Sequence, residues 1–163
     1  MAENILELRG LSKSFGSNQV LFDVNFSLKP GEVHAIIGEN GAGKSTMMNI
    51  TYGLVRPNSG EIYVDGEKVE IKSPNDAEKY GICFVHQEIA LCQEMSIAQN
   101  IFMTRVKNMK TLDMNYKAIN EEAQRLIDEI VPGFDVSQPV ESLNIAGQQV
   151  VEIAKALSWT VRS

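Results

Sequence analysis

The sequence has little positive charge, little cysteine and no long apolar run, and each shortage excludes a class of protein. Fifteen Lys and Arg residues face twenty-one Asp and Glu residues, giving a formal net charge of −6, so no basic surface for nucleic acid or anionic lipid is expected. No apolar run approaches the ~20 residues that a membrane-spanning helix needs, and residues 1–10 lack the layout of a secretory signal. We therefore expect a cytoplasmic protein without a nucleic-acid partner.

Cysteine and histidine are also too few to suggest a metal site. Cys83 and Cys92 have apolar neighbours and no metal-ligand spacing, so both are predicted to be reduced packing residues. His34 interrupts an apolar run without a ligand pattern around it, which favours a structural histidine. With 44% hydrophobic and 22% charged residues, the 163-residue chain is expected to form one globular α/β domain.

The first half of the chain carries strand signals. Alternating apolar and polar residues predict half-buried strands at 5–8 and 20–28, with a turn at 15–18 between them. Two short apolar runs, 33–37 and 82–85, have the composition of strands buried in a parallel sheet. The chain is therefore expected to begin as a small antiparallel sheet and to continue into a parallel core.

Turn and cap signals organise the next segment. The pair Asp65–Gly66 predicts a hairpin between strands at 61–64 and 68–71. The run from Ser73 to Asp76 has the pattern of an N-cap, a proline at the first helical position and an acid at the third, and Gly81 ends that short helix.

After Gln87 the patterns become helical. Apolar residues at helical spacing predict an amphipathic helix from Tyr116 to Ile130, with Asp113 as its N-cap and Pro132–Gly133 as its stop. A last helix is predicted over about 146–157. This half of the chain is expected to form a helical subdomain.

One motif carries chemistry. Residues 38–45, Gly-Glu-Asn-Gly-Ala-Gly-Lys-Ser, match the phosphate-loop pattern G-x-x-x-x-G-K-[ST]. The motif follows the predicted strand at 33–37 and begins a helix predicted over 44–54, so backbone N–H groups and the helix dipole face an anion. Lys44 is predicted to bridge the β- and γ-phosphates, and the Ser45 hydroxyl to coordinate Mg²⁺.

Four segments carry a family resemblance: 31–46 around the phosphate loop, 80–88, 95–102 and 143–158. Together they resemble the nucleotide-binding domain of ABC transporters, in particular the ATPases of bacterial sugar importers of the ribose, galactose and xylose type. In that family, the segment at 80–88 is the Q-loop, and the segment at 143–158 is the signature motif with its helix.

The resemblance covers the chain from Leu6 to about Ser158. It implies an α/β, P-loop ABC-type ATPase fold with an antiparallel β subdomain, part of a parallel P-loop core and a helical subdomain. The β subdomain and core are expected over about 1–87, and the helical subdomain with the signature over about 88–158.

The resemblance also implies ATP and Mg²⁺ as cofactors. Phe15 is implied to stack on the adenine ring, the alternative being a core residue. Gln87 is implied to reach Mg²⁺ and the attacking water, together with Ser45 as a metal ligand, the alternative being a surface glutamine. The implied nucleotide-binding residues of the loop are Gly38, Glu39, Asn40, Gly41, Ala42, Gly43, Lys44, Ser45 and Thr46.

The signature departs from the usual Leu-Ser-x-Gly-Gln form. In the family, this loop contacts the γ-phosphate bound by a second ATPase domain, through a serine hydroxyl and N–H groups at a helix N-terminus. Asn144 keeps an amide donor and Ala146 adds only a methyl group, which leaves room for the contact. The corresponding residues here are Leu143, Asn144, Ile145, Ala146, Gly147 and Gln148.

A second acidic motif imitates a catalytic one. Residues 126–129, Leu-Ile-Asp-Glu, look like a Walker B strand, but they lie on an amphipathic stripe and precede the signature, which predicts a helix surface. In the family, the Walker B strand, the catalytic glutamate and the switch histidine follow the signature. Only residues 159–163 come after Ser158, so we expect this chain to lack those parts and not to turn over ATP alone.

The expected function is that of an ATP-binding subunit of a bacterial sugar importer, peripheral on the inner face of the cell membrane. The implied partners are a second ABC ATPase domain, membrane permease subunits and, indirectly, a sugar-binding protein. The alternative is a non-catalytic nucleotide-binding module with a regulatory role. A reading frame that continues into an apolar run ending in Asp-Glu would favour the ATPase, and a stop codon would favour the alternative.

Overall fold

The structure, a computed structural model, describes residues 3–85, 90–103 and 115–160. These residues divide into two compact units, Met1–Ile82 and Cys83–Ser163. The first unit combines an antiparallel sheet with two helices, and the second is helical. Within the described ranges, no helix is both long enough and apolar enough to cross a membrane.

The sheet of the first unit is antiparallel, with strand order β2-β1-β3-β4. Phe15 pairs with Asn18, so Gly16 and Ser17 form the turn of the first hairpin, as predicted. Both strands of this hairpin are longer than the strands predicted from the sequence. The four strands are β1 (Leu6–Phe15), β2 (Asn18–Leu28), β3 (Ser59–Val64) and β4 (Glu67–Val69).

The second hairpin is confirmed, with a shorter second strand than predicted. Asp65 has a φ of 51° and Gly66 a φ of 81°, the pair of positive φ values that a tight two-residue hairpin turn requires. Val64 pairs with Glu67 across this turn. The turn residues therefore set the register of β3 against β4.

Two helices accompany the sheet, α1 (Lys44–Thr51) and α2 (Pro74–Lys79). The predicted cap of α2 is present, because the Ser73 side chain accepts a hydrogen bond from the backbone N–H of Asp76. The core of this unit consists of apolar residues from the sheet, from both helices and from the segment after β4: Leu8, Leu11, Leu21, Met47, Ile50, Ile62, Ile71 and Ala77.

The prediction of two buried parallel strands is wrong for the described residues. Residues 33–37 form no strand, and Val33 and Ile37 are 96% and 92% exposed. Residues 82–85 form no strand either, and Val85 is exposed. A parallel strand is buried only when neighbouring strands pair with it on the sheet, and the described sheet is antiparallel and contains neither segment.

The second unit is helical, as predicted. Helix α4 has the predicted bounds, but its N-cap is Asn115, which accepts a hydrogen bond from the Ala118 N–H at 3.3 Å. Asp113, the predicted cap, lies outside the described residues. The elements are α3 (Ile97–Ile101), α4 (Tyr116–Ile130), a 3₁₀ helix (Val140–Ser142) and α5 (Ile145–Thr160).

The acidic motif of α4 lies on the helix surface, as predicted. Leu126 and Ile127 are buried in the core of the second unit, whereas Asp128 and Glu129 are exposed. In the described part of this unit, the core joins α3, α4 and α5 with the segments beside them through shared apolar residues: Leu91, Ile97, Ala98, Ile101, Phe102, Ala123, Leu126, Ile127, Val136, Val140, Val151 and Ala154.

The predictions for cysteine and histidine have different outcomes. Cys83 is half-buried, whereas Cys92 is exposed, so the prediction of packing residues is wrong for Cys92. The backbone of Cys92 is held by Asn100, which leaves its side chain outside the core. His34 lies 3.0 Å from a carboxylate oxygen of Glu32 and meets the Phe26 ring edge-on, which agrees with a structural role.

Candidate functional site

The phosphate-loop motif forms an exposed loop directly before α1. Within it, the backbone N–H of Ala42 donates to the carbonyl oxygen of Glu39 at 3.2 Å, which closes a turn. Gly41 and Gly43 have φ values of 86° and 87°. This left-handed conformation is costly for residues with a side chain, so two glycines of the motif are required by the path of the backbone.

Gly43 is also required by packing. A Cβ atom at this position would come within 2.6 Å of Leu21 Cδ2 and 2.9 Å of the Val20 carbonyl oxygen. Both residues belong to β2, so the end of the loop rests on that strand. Gly41 has no atom within 4 Å of the same position, so its requirement is one of conformation alone.

The N-terminus of α1 has no side-chain cap. Its N-cap is Gly43, and no side chain accepts a hydrogen bond there. The other α-helices in the described ranges all have such a cap, supplied by Ser73, Ser96, Asn115 and Asn144. The first N–H groups of a helix lack intrahelical partners, so α1 presents donors and the positive end of its dipole to an anion.

Lys44 folds its side chain over the loop. Its Nζ donates to the carbonyl oxygens of Gly38 and Glu39, at 2.6 Å and 2.8 Å. These bonds hold a positive charge beside the uncapped helix start. The Lys44 ammonium group and the first backbone N–H groups of α1 therefore lie together on one short stretch of chain.

The two hydroxyl-bearing residues, Ser45 and Thr46, come directly after Lys44 in the sequence. Ser45 is exposed and Thr46 is half-buried at the second and third positions of α1. A hydroxyl oxygen is a ligand that Mg²⁺ accepts beside phosphate oxygens and waters. Among the described residues, no group of three or more His, Cys, Asp or Glu could hold a metal. The Mg²⁺ contact of Ser45 stays a prediction.

Phe15 lies at the end of β1 and is 51% exposed, so its ring is not a core residue. Lys13 lies with its Nζ 5.1 Å from the ring centroid and donates to the Arg56 carbonyl oxygen at 2.7 Å. The pairing partner of Phe15, Asn18, comes two residues before Val20, about 7 Å along β2. Strand β2 thus pairs with the backbone of Phe15 and also lies against the end of the phosphate loop.

The signature residues begin α5. The Asn144 Oδ1 accepts a hydrogen bond from the Gly147 N–H at 2.8 Å, which caps the helix and leaves the amide NH₂ as a donor. Ile145 and Ala146 are exposed. The Gln148 amide donates to the Leu143 carbonyl oxygen at 3.1 Å, so the turn is closed by the motif itself.

Gly147 is buried within this turn. A Cβ atom there would come within 3.2 Å of Leu143 Cβ and 3.2 Å of Phe134 Cε1. The family's usual form has glutamine at this place, where a side chain would require Leu143 or Phe134 to shift by a few tenths of an ångström. Sequence reasoning did not identify this contact, because Phe134 is distant in sequence.

Gln87 and Glu88 lie outside the described residues, so the predicted metal contact of Gln87 stays a prediction. Two other residues were missed by sequence reasoning. Lys13 lies two residues before Phe15, and residues at this spacing lie on one face of a strand. That spacing is a sequence signal from which Lys13 could have been predicted as a neighbour of Phe15. Glu152 binds the backbone of Ala90 across 62 residues of sequence, and no local signal indicates that.

The glycine-rich loop, the uncapped start of α1 and Lys44 together define a P-loop nucleotide-binding domain. The family model for ABC transporters matches residues 21–161. A crystal structure of MJ1267, an ATP-binding cassette of an ABC transporter in its ADP conformation, matches with a TM-score of 0.83 at 25% identity, over 96% of this chain and 65% of its own. CbiO1 from Clostridium perfringens, part of an ABC transporter complex, matches with a TM-score of 0.80 at 26% identity, over 97% of this chain and 62% of its own.

Curated relatives agree in sequence. The ribose import ATP-binding protein RbsA of Ruegeria sp. (strain TM1040) is 51% identical over 158 residues, which are 97% of this chain and 31% of that protein. RbsA of Lacticaseibacillus paracasei is 46% identical over 152 residues, 93% of this chain and 30% of its own length. The chain thus spans about a third of the length of these relatives. It belongs to the ABC transporter family of ATP-binding proteins, and the predicted fold class is confirmed.

Proposed function

We propose that this chain is part of the ATP-binding subunit of a bacterial sugar importer, with ribose as the sugar carried by the complete transporter. The support is the set of ribose import ATP-binding proteins that match nearly all of the chain. In this proposal, the subunit binds ATP on the cytoplasmic side of the membrane and couples its hydrolysis to sugar uptake.

The observation that carries the proposal is the uncapped start of α1. Gly43 leaves the first N–H groups of the helix without a side-chain partner, and Lys44 holds its charge beside them. The β- and γ-phosphates of ATP carry the negative charge that such donors and a neighbouring cation would bind. On binding, Lys44 would exchange its two carbonyl partners for phosphate oxygens.

The same residues fit Mg²⁺ bound to ATP. The exposed Ser45 hydroxyl would hold the ion, and Gln87 is proposed as a second contact to the ion and to the attacking water. When bound, Mg²⁺ neutralises the charge that develops on the phosphates. Phe15, exposed at the end of its strand, would stack on adenine.

The partners belong to the proposal too. A second ATPase domain would receive the signature turn at its γ-phosphate, where the Asn144 amide NH₂ and the exposed start of α5 offer donors. Membrane permease subunits and, through them, a sugar-binding protein would complete the importer. We propose a position on the inner face of the cell membrane.

The isolated 163-residue chain is proposed to bind ATP without turnover. Phosphoryl transfer depends on a positioned water and metal. In the family resemblance, the Walker B strand and the catalytic glutamate follow the signature. The full gene product, in contrast, is expected to hydrolyse ATP in the presence of Mg²⁺.

The test combines nucleotide binding with uptake. Lys44→Ala removes a charge-assisted contact worth about 1.5–3 kcal/mol, so the ATP affinity of the full gene product should fall roughly 10- to 150-fold. Uptake of labelled ribose by cells that carry only this variant should be lost. The matched control is Lys72→Ala, which removes an exposed lysine paired with Glu70 and should leave both properties unchanged.

Three outcomes distinguish the alternatives. Unchanged ATP affinity in Lys44→Ala would contradict the assignment of the nucleotide site. ATP binding without Mg²⁺-dependent hydrolysis by the full gene product would favour the non-catalytic regulatory module. Hydrolysis together with normal ribose uptake in cells lacking the gene would point to an importer of a different sugar.

A further inference from the structure

The side chain of Lys13 lies over the Phe15 ring, with its Nζ 5.1 Å from the ring centroid. Within about 6 Å, an ammonium group is attracted to the negative face of an aromatic ring. Both residues belong to β1 and are two positions apart, so their side chains leave the strand on the same side. A cation therefore lies against one face of the ring.

Lys13 is fixed by a hydrogen bond as well as by the ring. Its Nζ donates to the carbonyl oxygen of Arg56 at 2.7 Å. Arg56 lies on the segment between α1 and β3. That segment is held to α1, because the N–H groups of Leu54 and Val55 both donate to the Asn49 carbonyl oxygen, at 2.8 Å and 3.2 Å. The Lys13 ammonium group is thereby tied to the end of α1, the helix that begins at the phosphate loop.

The backbone beside the ring is held by the same segment. The Ser14 N–H donates to Asn58 Oδ1 at 2.7 Å, and the Asn58 N–H donates to the Ser12 carbonyl oxygen at 2.9 Å. These two bonds fix the end of β1 in place. The remaining freedom of Phe15 is the rotation of its side chain, and Lys13 lies against that side chain.

The ring keeps an open surface despite this contact. Phe15 is 51% exposed with Lys13 in place. A nucleobase that stacks on an aromatic ring needs one of its two faces, and the lysine competes for one of them. The position of Lys13 therefore bears on which face a base can use.

We propose that Lys13 is a positioning residue for nucleotide binding: it occupies one face of the Phe15 ring, and the base stacks on the opposite face. Lys13 acts through the ring and does not contact the nucleotide. It limits the rotation of the ring before the nucleotide arrives, so less side-chain freedom is lost on binding. This inference rests on the proposed function, in which Phe15 stacks on adenine.

The first test measures the affinity of the full gene product for ATP and for inorganic tripolyphosphate, which has the phosphates but no base. Lys13→Met keeps a long side chain and removes its charge, so ATP should bind roughly 2- to 5-fold more weakly while tripolyphosphate binding is unchanged. Lys13→Arg keeps a cation and a donor, so it should restore the ATP affinity. The matched control is Lys72→Met, which removes an exposed lysine paired with Glu70 and should change neither affinity.

A double-mutant cycle tests whether Lys13 acts through the ring. Phe15→Leu removes the aromatic face and keeps an apolar side chain. In the Phe15→Leu protein, Lys13→Met should have no further effect on ATP affinity, because no ring is left to position. An equal loss of ATP affinity from Lys13→Met with and without the ring would overturn the proposal, because Lys13 would then act on the nucleotide directly.

Nuclear magnetic resonance tests the contact itself, without any nucleotide. Protons above the face of an aromatic ring are shifted upfield by its ring current. The ε-CH₂ signal of Lys13, observed in the full gene product with isotope-labelled lysine, should therefore lie upfield of its position in Phe15→Leu. The same position in both proteins would overturn the proposal even if Lys13→Met does not fold.

The outcomes separate this inference from the proposed function. Weaker ATP binding in Phe15→Leu with wild-type affinity in Lys13→Met would overturn the positioning role and leave the stacking role of Phe15 intact. Weaker tripolyphosphate binding in Lys13→Met would overturn the positioning role as well, because Lys13 would then bind phosphate. Unchanged ATP affinity in both Phe15→Leu and Lys44→Ala would instead overturn the proposed nucleotide site, and the role of Lys13 with it.

Discussion

Gly43 lies against Leu21 so closely that a side-chain carbon on the glycine would come within 2.6 Å of Leu21 Cδ2. The phosphate loop is thereby seated on strand β2, and its last glycine has both a conformational and a steric requirement. The neighbouring Gly41 has only the conformational requirement, because its φ is 86° and no atom lies within 4 Å of a Cβ position. The two glycines form a matched pair for experiment.

Gly43→Ala is expected to destabilise the protein more than Gly41→Ala. Both variants carry the cost of a left-handed alanine, about 1–2 kcal/mol, but only Gly43→Ala adds a steric clash, about 1–3 kcal/mol. Chemical denaturation of the full gene product measures the free energy of unfolding of each variant. Equal values for the two variants would contradict the seating of the loop on β2.

Phe15→Ala should weaken ATP binding, whereas Phe15→Tyr should not. Stacking needs an aromatic face and contributes about 0.5–1.5 kcal/mol, which corresponds to roughly 2- to 12-fold in affinity. Because the ring is 51% exposed, neither change should lower the melting temperature appreciably. A nucleotide titration and a thermal scan check both statements. Equal loss of affinity in both variants with a lower melting temperature would instead indicate a packing role.

Asn144→Ala should destabilise the second unit by about 0.5–2 kcal/mol, because the Gly147 N–H loses its side-chain acceptor. Asn144→Ser should stay within a few tenths of a kcal/mol of wild type, since serine is an equally good cap. Amide exchange in the first turn of α5 is the direct measurement. If the alanine and serine variants exchange alike, the cap does not contribute as described.

Asp76 predicts a pH dependence of stability. Hydrogen bonds from Lys79 and then Ser73 lower the pKa of this carboxyl below its ordinary value of 3.8. The folded pKa is thus the lower one, so the stabilisation is present above the unfolded pKa and is lost as the pH falls through the folded pKa. Comparison of unfolding curves between pH 7 and pH 2 should show a smaller acid loss in Asp76→Asn than in wild type.

Lys79→Met provides the control for this pH dependence. It removes the largest cause of the lowered pKa and leaves the carboxyl in place. Its acid loss should lie between those of wild type and Asp76→Asn. A Lys79→Met curve with the full wild-type acid loss would show that the ion pair does not set the pKa of Asp76.

The exposed segment 33–37 predicts self-association of the isolated 163-residue chain. Val33 and Ile37 are 96% and 92% exposed, and apolar runs with β propensity tend to pair with another chain when they are open to solvent. Sedimentation should show oligomers or aggregates at micromolar concentration, and Val33→Lys with Ile37→Lys should reduce them. A monodisperse monomer of the unsubstituted chain would contradict this prediction.

Local signals account for the elements that were predicted correctly. The Asp65–Gly66 turn, the Ser73 cap and the amphipathic stripe of α4 each depend on residues a few positions apart, so their physics is contained in the sequence. The phosphate loop belongs with them, because its glycines, lysine and helix start are contiguous. The family followed from the same contiguous motifs.

The tertiary structure decided what depends on distant residues. Residues 33–37 have the composition of a buried strand, yet burial requires neighbouring strands that the described sheet does not supply. The tight fit of Gly147 against Phe134 and the bond between Glu152 and Ala90 likewise join residues far apart in sequence. The sequence by itself determined the phosphate loop and the local folds around it, because those are set by neighbouring residues. The contacts that residues such as Gly147 and Glu152 make with distant parts of the chain were decided only by tertiary packing.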